Sequence, residues 1–256
     1  MDDRSISVPE IGEALWGALH LGLKPLCMFE SETVPENGQP FGQVDRCLAK
    51  SIFLCARGEE SSLYLGADAK TGVCPGGQVW TGLMEMTEGL NFFISTGSPT
   101  YRHGEAEYLK CDPQMVKDSV ATVGKIRAPS KYLCVTPCHD FVDDMGTPRS
   151  VLVFGGAEQI RNLLSLQHFG TKDVFASAIA PWGASCASFI TYPAGLAANC
   201  PPGAVIIGPT DPTGNEWLPP SIMSLGIPIK EAERLVRDIP GSFLTKRPGV
   251  AFPKGR

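Results

Sequence analysis

Apolar residues recur along the chain with helical and strand spacing, which predicts an α/β protein. Apolar positions three or four residues apart predict helices, here at about 9–21, 45–57, 78–86, 113–123, 157–169 and 228–238. Short apolar or alternating runs predict strands, here at 25–29, 63–65, 92–94, 132–136, 150–154 and 204–207. Because the two kinds of element alternate, we expect an α/β fold, with α+β as the alternative.

Two stretches of the chain, 51–83 and 162–196, resemble each other. Each predicts a helix, a glycine stop, a short strand and a loop with one cysteine, and Cys74 and Cys186 are 112 positions apart, as are the two stop glycines. A true repeat would place the two cysteines at related positions about a pseudo-twofold axis. The alternative is a chance likeness between two α/β units of similar length.

A length of 256 residues is sufficient for one sizeable hydrophobic core. We therefore expect a single domain over residues 1–256, built from two pseudo-symmetric halves at about 9–96 and 113–238. The segment 245–256 is basic and without periodicity, so it is predicted to be a surface tail.

Charge and hydropathy exclude some classes of partner. The net charge of −5 and the pI of about 5.4 give no basic surface of the kind that attracts nucleic acid. No apolar run reaches the roughly 18 residues of a membrane span. The first residues carry no basic segment followed by an apolar run, so no secretory signal is expected and the protein is predicted to be cytoplasmic. A homo-oligomer is compatible with the sequence.

Nine cysteines are many for a chain predicted to lie in a reducing compartment, where clustered cysteines are metal-binding or catalytic more often than crosslinked. The first hypothesis is an iron–sulfur cluster or metal held by thiolates, in redox or cofactor metabolism with a redox partner or a small-molecule ligand. The predicted ligands are Cys74 and Cys186, with Cys47 or Cys55 and Cys200. No C-x-x-C spacing occurs, and the plainer alternative is that most cysteines are small buried apolar residues.

The second hypothesis is an enzyme that uses Cys74 as its catalytic thiol. Cys74 precedes a predicted helix, and Gly76 and Gly77 behind it allow a ligand to approach the backbone closely. His103 and His139 are the candidate bases. The spacing ties neither histidine to Cys74.

The third hypothesis is a binding protein without catalysis, whose halves clasp a small planar ligand. Trp80 and Trp182 each lie close to one of the two cysteine loops, and Gly76 and Gly77 line the first. Aromatic side chains with glycine-rich loops are typical of a cleft for a flat molecule. The alternative is that both tryptophans are core residues.

The order of these motifs resembles domain-of-unknown-function family 169, the archaeal cysteine-rich family, from about Gly22 to Asp238. The motifs that carry the resemblance are Gly22-Leu23-Lys24-Pro25, Cys47, Cys74-Pro75-Gly76-Gly77 with Gly82-Leu83, Val151 to Gly156 with Gln159 and Leu163, and Gly226-Ile227-Pro228. The resemblance implies an anaerobic organism and cysteine-based chemistry, and no activity is established for the family. A cysteine-glycine-arginine loop usual in the family is replaced here by 208–214, which puts a ligand held by that arginine in doubt.

Overall fold

The computed structural model describes residues 5–66, 72–175, 178–212 and 216–246. Across these ranges one mixed sheet of eight strands forms the centre of an α/β fold. The strands are β1 Leu26–Ser31, β2 Gln39–Pro40, β3 Leu63–Gly66, β4 Tyr132–Pro137, β5 Thr147–Gly155, β6 Ala178–Ile179, β7 Val205–Gly208 and β8 Met223–Pro228. The helices are α1 Val8–Leu19, α2 Phe41–Val44, α3 Leu48–Arg57, α4 Pro75–Trp80, α5 Glu88–Ile94, α6 Pro113–Val123, α7 Ala157–Gln167, α8 Ile229–Asp238 and α9 Phe243–Lys246, with a π-helix at Ala187–Thr191.

Local sequence sets several of the helix ends. Ser7 begins α1 through a capping box in which its hydroxyl accepts the N–H of Glu10, and the Glu10 carboxylate accepts the N–H of Ser7. Asp112 begins α6 by accepting the N–H of Met115 at 2.7 Å. Gly58 ends α3 with φ of +78°, a left-handed conformation that glycine adopts without the steric cost of a Cβ.

Helices cover both faces of the sheet, because successive residues of each strand point to opposite sides. On β1, Leu26 and Met28 belong to one core cluster, and Cys27 and Phe29 to the other. The first face, which we call the cavity face, is covered by α3 and the π-helix. The opposite face is covered by α1, α7 and α8. Core residues from the helices are Ile52 and Phe189 on the cavity face, and Ile11, Leu163 and Leu235 on the opposite face.

The strand order has a twofold arrangement about the central pair. The order is β2-β3-β4-β1-β5-β8-β7-β6, and β1 pairs with β5 antiparallel. Outward from that pair, β4 and β8 are antiparallel to their inner neighbours, β3 and β7 are again antiparallel, and β2 and β6 are parallel. Each half of the sheet therefore repeats the other in strand order, strand direction and chain order.

This arrangement relates Cys186 to Cys47, rather than to Cys74 as the sequence spacing predicted. Helix α3 connects the parallel strands β2 and β3, and the π-helix connects the parallel strands β6 and β7. Cys47 is the N-cap of α3 and Cys186 the N-cap of the π-helix. Each cysteine stands eight residues after the start of the short strand before it, at Gln39 and Ala178. The likeness of 51–83 to 162–196 aligned α3, which follows β2, with α7, which lies between β5 and β6. The equivalent position in the first half, between β1 and β2, has no helix.

Other predictions differ from the structure locally. Residues 92–94, predicted to be a strand, lie in α5. The prediction was wrong because a short run of apolar residues carries too little periodicity to separate a strand from a helix. The helix predicted for 78–86 is α4, which begins at Pro75 and ends at Trp80. The predicted tail from Thr245 starts inside α9, and residues 247–256 lie outside the described residues. The predicted repeat boundaries stay a prediction.

None of the helices in the described ranges combines the length and apolar character that crossing a membrane requires.

A buried carboxylate ties the central strands to the rest of the chain. Glu30 on β1 is 7% exposed and accepts hydrogen bonds from Arg127 at 2.7 and 2.9 Å and from Arg149 Nε at 2.7 Å. Burial alone would raise the pKa of Glu30, but the hydrogen bonds and charges of the two arginines outweigh it and lower the pKa. Arg127, which precedes β4, also donates its backbone N–H to the carbonyl of Leu196, which follows the π-helix, so Glu30 fixes a contact between the half with β1–β4 and the half with β5–β8.

Changing Glu30 to Gln is expected to lower the free energy of unfolding by about 1–3 kcal/mol at pH 7, because both arginines lose a charged acceptor while remaining partly solvated. A group whose pKa is lowered by folding stabilises the protein above its unfolded pKa of about 4.3, and that contribution is lost as the pH falls through its folded pKa. Urea unfolding from pH 3 to 8 should therefore show a wild-type advantage that disappears at the acid end. Exposed Glu32→Gln is the control, and an equal loss there would contradict the assignment.

Candidate functional site

A cavity of about 510 Å³ lies on the cavity face, between the two halves of the chain. The first half supplies the starts of α3 and α4, helix α5 and the loop that follows α5. The second half supplies the loop before the π-helix and the loop after β7. The residues that line the cavity include Arg46, Cys47, Cys74, Gly76, Gly77, Trp80, Leu90, Phe93, Tyr101, Arg102, Glu107, Trp182, Ser185, Cys186, Asp211 and Trp217. A volume of this size suits a small organic molecule.

Three of the four predicted cysteine ligands line this cavity together. Cys47, Cys74 and Cys186 are the N-cap residues of α3, α4 and the π-helix. The Cys74 sulfur accepts the backbone N–H of Gly77 at 3.3 Å, and the Cys74 N–H donates to the carbonyl of Arg46 at 2.8 Å. These bonds hold the start of α4 against the start of α3.

Burial keeps two of these thiols protonated at neutral pH. It raises the pKa of Cys186 well above its usual range, and the neighbouring Cys74 and Cys47 thiols raise it further. Burial also raises the pKa of Cys47, although the backbone N–H of Lys50 acts in the opposite direction. These two thiols therefore face the cavity as neutral groups, and Cys74 is only half-buried.

The fourth predicted ligand, Cys200, does not line the cavity. It lies in a separate surface groove with Lys110, and its sulfur donates to the carbonyl of Tyr192 at 3.7 Å. Four further cysteines, Cys27, Cys55, Cys134 and Cys138, are buried core residues, and Cys111 is exposed. Among the residues that the structure describes, no group of three or more His, Cys, Asp or Glu is arranged to hold a metal ion. The residues as placed do not form a ready metal site, and the predicted cluster stays a prediction.

Both predicted tryptophans line the cavity, and contacts across the two halves fix them there. The rings of Trp80 and Trp182 meet edge to face with centroids 6.2 Å apart, and Trp80 meets Tyr192 at 5.7 Å. The Thr191 hydroxyl donates to the carbonyl of Trp80, and the Tyr192 hydroxyl donates to the carbonyl of Trp182 at 2.7 Å. The tryptophans are thus core and cavity residues at once, and neither sequence interpretation excludes the other.

Three further rings, of Phe93, Tyr101 and Trp217, also line the cavity. Together with Trp80 and Trp182 they form what we call the aromatic wall. Phe93 comes from α5. Tyr101 packs so closely on that helix that a Cβ at Gly89 would lie 2.4 Å from its ring. Trp217 contacts the core ring of Phe189 at 6.4 Å. The wall is therefore built on the hydrophobic core and is rigid on that side.

Three polar residues of the lining interact with one another, and we call this group the polar end: Ser185, Glu107 and Asp211. The N–H of Ser185 donates to an Asp211 carboxylate oxygen at 3.1 Å. Burial, followed by the charge of Asp211, raises the pKa of Glu107 to about 7, and Arg102 acts against that shift. Glu107 therefore exchanges its proton near neutral pH.

Five residues that the sequence singled out, Cys47, Cys74, Cys186, Trp80 and Trp182, line this cavity, and their predicted roles stay predictions. The sequence missed Glu107 and Asp211, since 95–112 and 208–220 carry no periodicity, and it did not single out Ser185 beside Cys186. The candidate bases lie elsewhere: His139 lines a groove on the opposite face, and His103 is not among the lining residues. The predicted catalytic role of Cys74 stays a prediction.

Within the described ranges, the fold and site define an α/β protein whose sheet has twofold strand order. Three thiols, contributed by both halves, line its cavity. The family model described as uncharacterised ArCR, domain-of-unknown-function family 169, matches residues 14–238. The chain belongs to this family, as the resemblance in the sequence predicted. Comparison with curated proteins gives no match, and comparison with solved structures gives none either.

Gly77→Ala and Gly76→Ala form a matched pair that tests the geometry at the start of α4. A Cβ at Gly77 would lie 2.9 Å from Leu48 Cδ1, whereas a Cβ at Gly76 would meet nothing within 4 Å. We expect Gly77→Ala to lower the free energy of unfolding by about 1–3 kcal/mol, because the buried helices must move apart. Gly76→Ala is expected to change it by less than about 1 kcal/mol, since alanine favours the helix. Chemical denaturation measures both, and equal effects would contradict the predicted contact.

Proposed function

We propose that this protein binds a small organic molecule with a flat apolar body in the cavity, where the ligand lies against the aromatic wall and within reach of the thiols. The observation that carries the proposal is the cavity itself, about 510 Å³ with five aromatic rings and both halves of the chain on its boundary. Ligand sites are typically apolar clefts of 300–1,000 Å³ with a few fixed polar groups.

The packing around the cavity supports a site that exists before the ligand arrives. Trp80 is 2% exposed, and hydrogen bonds from Thr191 and Tyr192 hold the backbone at both tryptophans. Gly183 has no room for a side chain, because a Cβ there would lie 2.9 Å from Ala187 and 3.3 Å from Trp80. A rigid site loses little conformational entropy on binding, which favours affinity.

Cys74 is the thiol best placed for chemistry on such a ligand. It is half-buried on the cavity wall, whereas the raised pKa values of Cys47 and Cys186 disfavour their nucleophilic thiolate forms. Its sulfur already accepts one backbone N–H, that of Gly77. A thiol-dependent reaction would therefore use Cys74 first, with the other two thiols as its neighbours.

A cavity-filling variant tests the proposal. Ala184 lines the cavity, and Ala184→Phe places a ring where the ligand would lie. With Nile red, a neutral dye that fluoresces in apolar sites, we expect wild type to bind one dye per chain and Ala184→Phe to bind at least tenfold more weakly. Ala198→Phe, on an exposed position outside the cavity, should bind as wild type does.

Unchanged dye binding by Ala184→Phe would show that the dye binds elsewhere and would remove the main support for a ligand in this cavity. Thermal unfolding of both variants separates loss of the site from loss of the fold. Energy transfer from tryptophan to the dye gives a second readout, because Trp80 and Trp182 border the cavity.

The second candidate function is the iron–sulfur protein predicted from the cysteines. The observation in its favour is that Cys47, Cys74 and Cys186 line one cavity, where Cys74 and Cys47 are near enough to raise the pKa of Cys186. Clusters are usually held by four thiolates, and Cys200 lies in another groove. The iron–sulfur hypothesis therefore requires either that Cys200 moves to the cavity or that a fourth ligand comes from another source.

Protein purified without oxygen decides between the two candidates. The cluster predicts stoichiometric iron and acid-labile sulfide with a broad visible absorption, all lost in Cys74→Ser and Cys186→Ser. Cys111→Ser, an exposed cysteine outside the cavity, is the matched control. The ligand-binding proposal predicts colourless protein with neither iron nor sulfide, before and after attempted reconstitution.

A further inference from the structure

One buried hydroxyl at the polar end has no partner within the described protein. Ser185 is 4% exposed and lines the cavity, and its Oγ makes no hydrogen bond. Its backbone is fixed on both sides, because its N–H donates to Asp211 and its carbonyl accepts the Ser188 hydroxyl at 3.0 Å. A buried hydroxyl without a partner is unusual, and the cavity is where a ligand atom would satisfy it.

Two carboxyl groups line the same cavity as that hydroxyl. Asp211 accepts the backbone N–H of Ser185, and the charge of Asp211 helps to raise the pKa of Glu107. The backbone N–H of Glu107 donates to the carbonyl of Phe93 at 2.8 Å, which fixes the loop at this point. Two carboxyl groups in a poorly solvated place repel each other when both are ionised, and a cation placed between them relieves the repulsion.

Two positive side chains near the cavity have partners of their own. Arg102 forms an ion pair with Glu105 at 3.2 Å and lies over the Phe93 ring at 4.3 Å, although its charge also lowers the pKa of Glu107. Lys110 stacks on Trp182 at 4.4 Å and lines the neighbouring groove. Arg46 lines the cavity next to Cys47, the N-cap of α3. The polar end therefore combines two carboxyl groups with the guanidinium of Arg102, which Glu105 shares.

We propose that the ligand carries a protonated nitrogen head group, an amine or an amidine, which binds Ser185, Glu107 and Asp211 while its flat body contacts the aromatic wall. This inference rests on the proposed function and names the chemical class of the ligand. The Ser185 Oγ accepts one N–H of the head group, and the two carboxylates accept others as charge-assisted hydrogen bonds. Aromatic rings add cation–π attraction to the same charge.

The inference predicts a direction for the pH dependence of binding. A cation favours ionised Glu107, so the pKa of Glu107 falls from about 7 when the ligand binds, and a proton leaves the protein. Affinity should rise as the pH increases from 5.5 to 7 and level off above about 8. The charged groups that act on Glu107 are Asp211, which raises its pKa, and Arg102, which lowers it.

Benzamidine, benzamide and benzoate test the head group, since they share one ring and differ in charge. Their binding to the full chain is measured by tryptophan fluorescence and by ligand-observed NMR between pH 5.5 and 8.5. We expect benzamidine to bind at least tenfold more tightly than the other two at pH 8. Glu107→Gln should lose that preference and its pH dependence, Ser185→Ala should weaken benzamidine binding severalfold, and exposed Glu85→Gln should match wild type.

Equal or tighter binding of benzamide or benzoate by wild type would overturn the head-group assignment and leave the cavity as a ligand site. Binding of Nile red with no binding of any of the three compounds would overturn it as well. If the wild-type protein does not bind Nile red, the proposed function is refuted instead. Thermal unfolding of Glu107→Gln confirms that its fold is intact before its binding is interpreted.

Discussion

The antiparallel pairing of β1 with β5 is the contact on which the arrangement of the site depends. Leu26 lies opposite Leu152 and Cys27 opposite Val151. The other strands of each half follow outward in matching order, β4, β3 and β2 beside β1, and β8, β7 and β6 beside β5. Because the two connections between parallel strands have matching positions, α3 and the π-helix begin on the same face of the sheet. Their N-cap cysteines, Cys47 and Cys186, therefore face one cavity although they are far apart in the chain.

The cavity owes its boundary to a difference between the two halves. Fourteen residues, 209–222, join strands β7 and β8, whereas the much longer segment 67–131, whose described part contains α4, α5 and α6, joins β3 and β4. That longer segment returns to the second half, where Arg127 donates to Leu196 and Asn199 donates to Val123. It thereby borders the cavity, and it contributes Cys74, Glu107 and most of the aromatic wall.

The chemistry of the site follows from how little water reaches it. Burial raises the pKa of Glu107 and of the Cys186 thiol for the same reason, since both charged forms lose hydration. A carboxyl that titrates near pH 7 can accept or donate a proton at physiological pH, and a protonated thiol behaves as an apolar surface. In the function proposed here, the rings and neutral thiols favour an apolar ligand body, and the residues of the polar end select its head group.

The amino-acid sequence by itself determined the α/β class and most of the main strands and helices through periodicity, and the family through the order of its motifs. It also singled out Cys47, Cys74, Cys186, Trp80 and Trp182, residue types that are conspicuous locally. Only the tertiary structure decided that Cys47 is the counterpart of Cys186, that Cys200 lies outside the cavity, and that Glu107, Ser185 and Asp211 line the same cavity. Strand pairing brings together residues far apart in the sequence, and loops without periodicity carry no local signal of what they will contact.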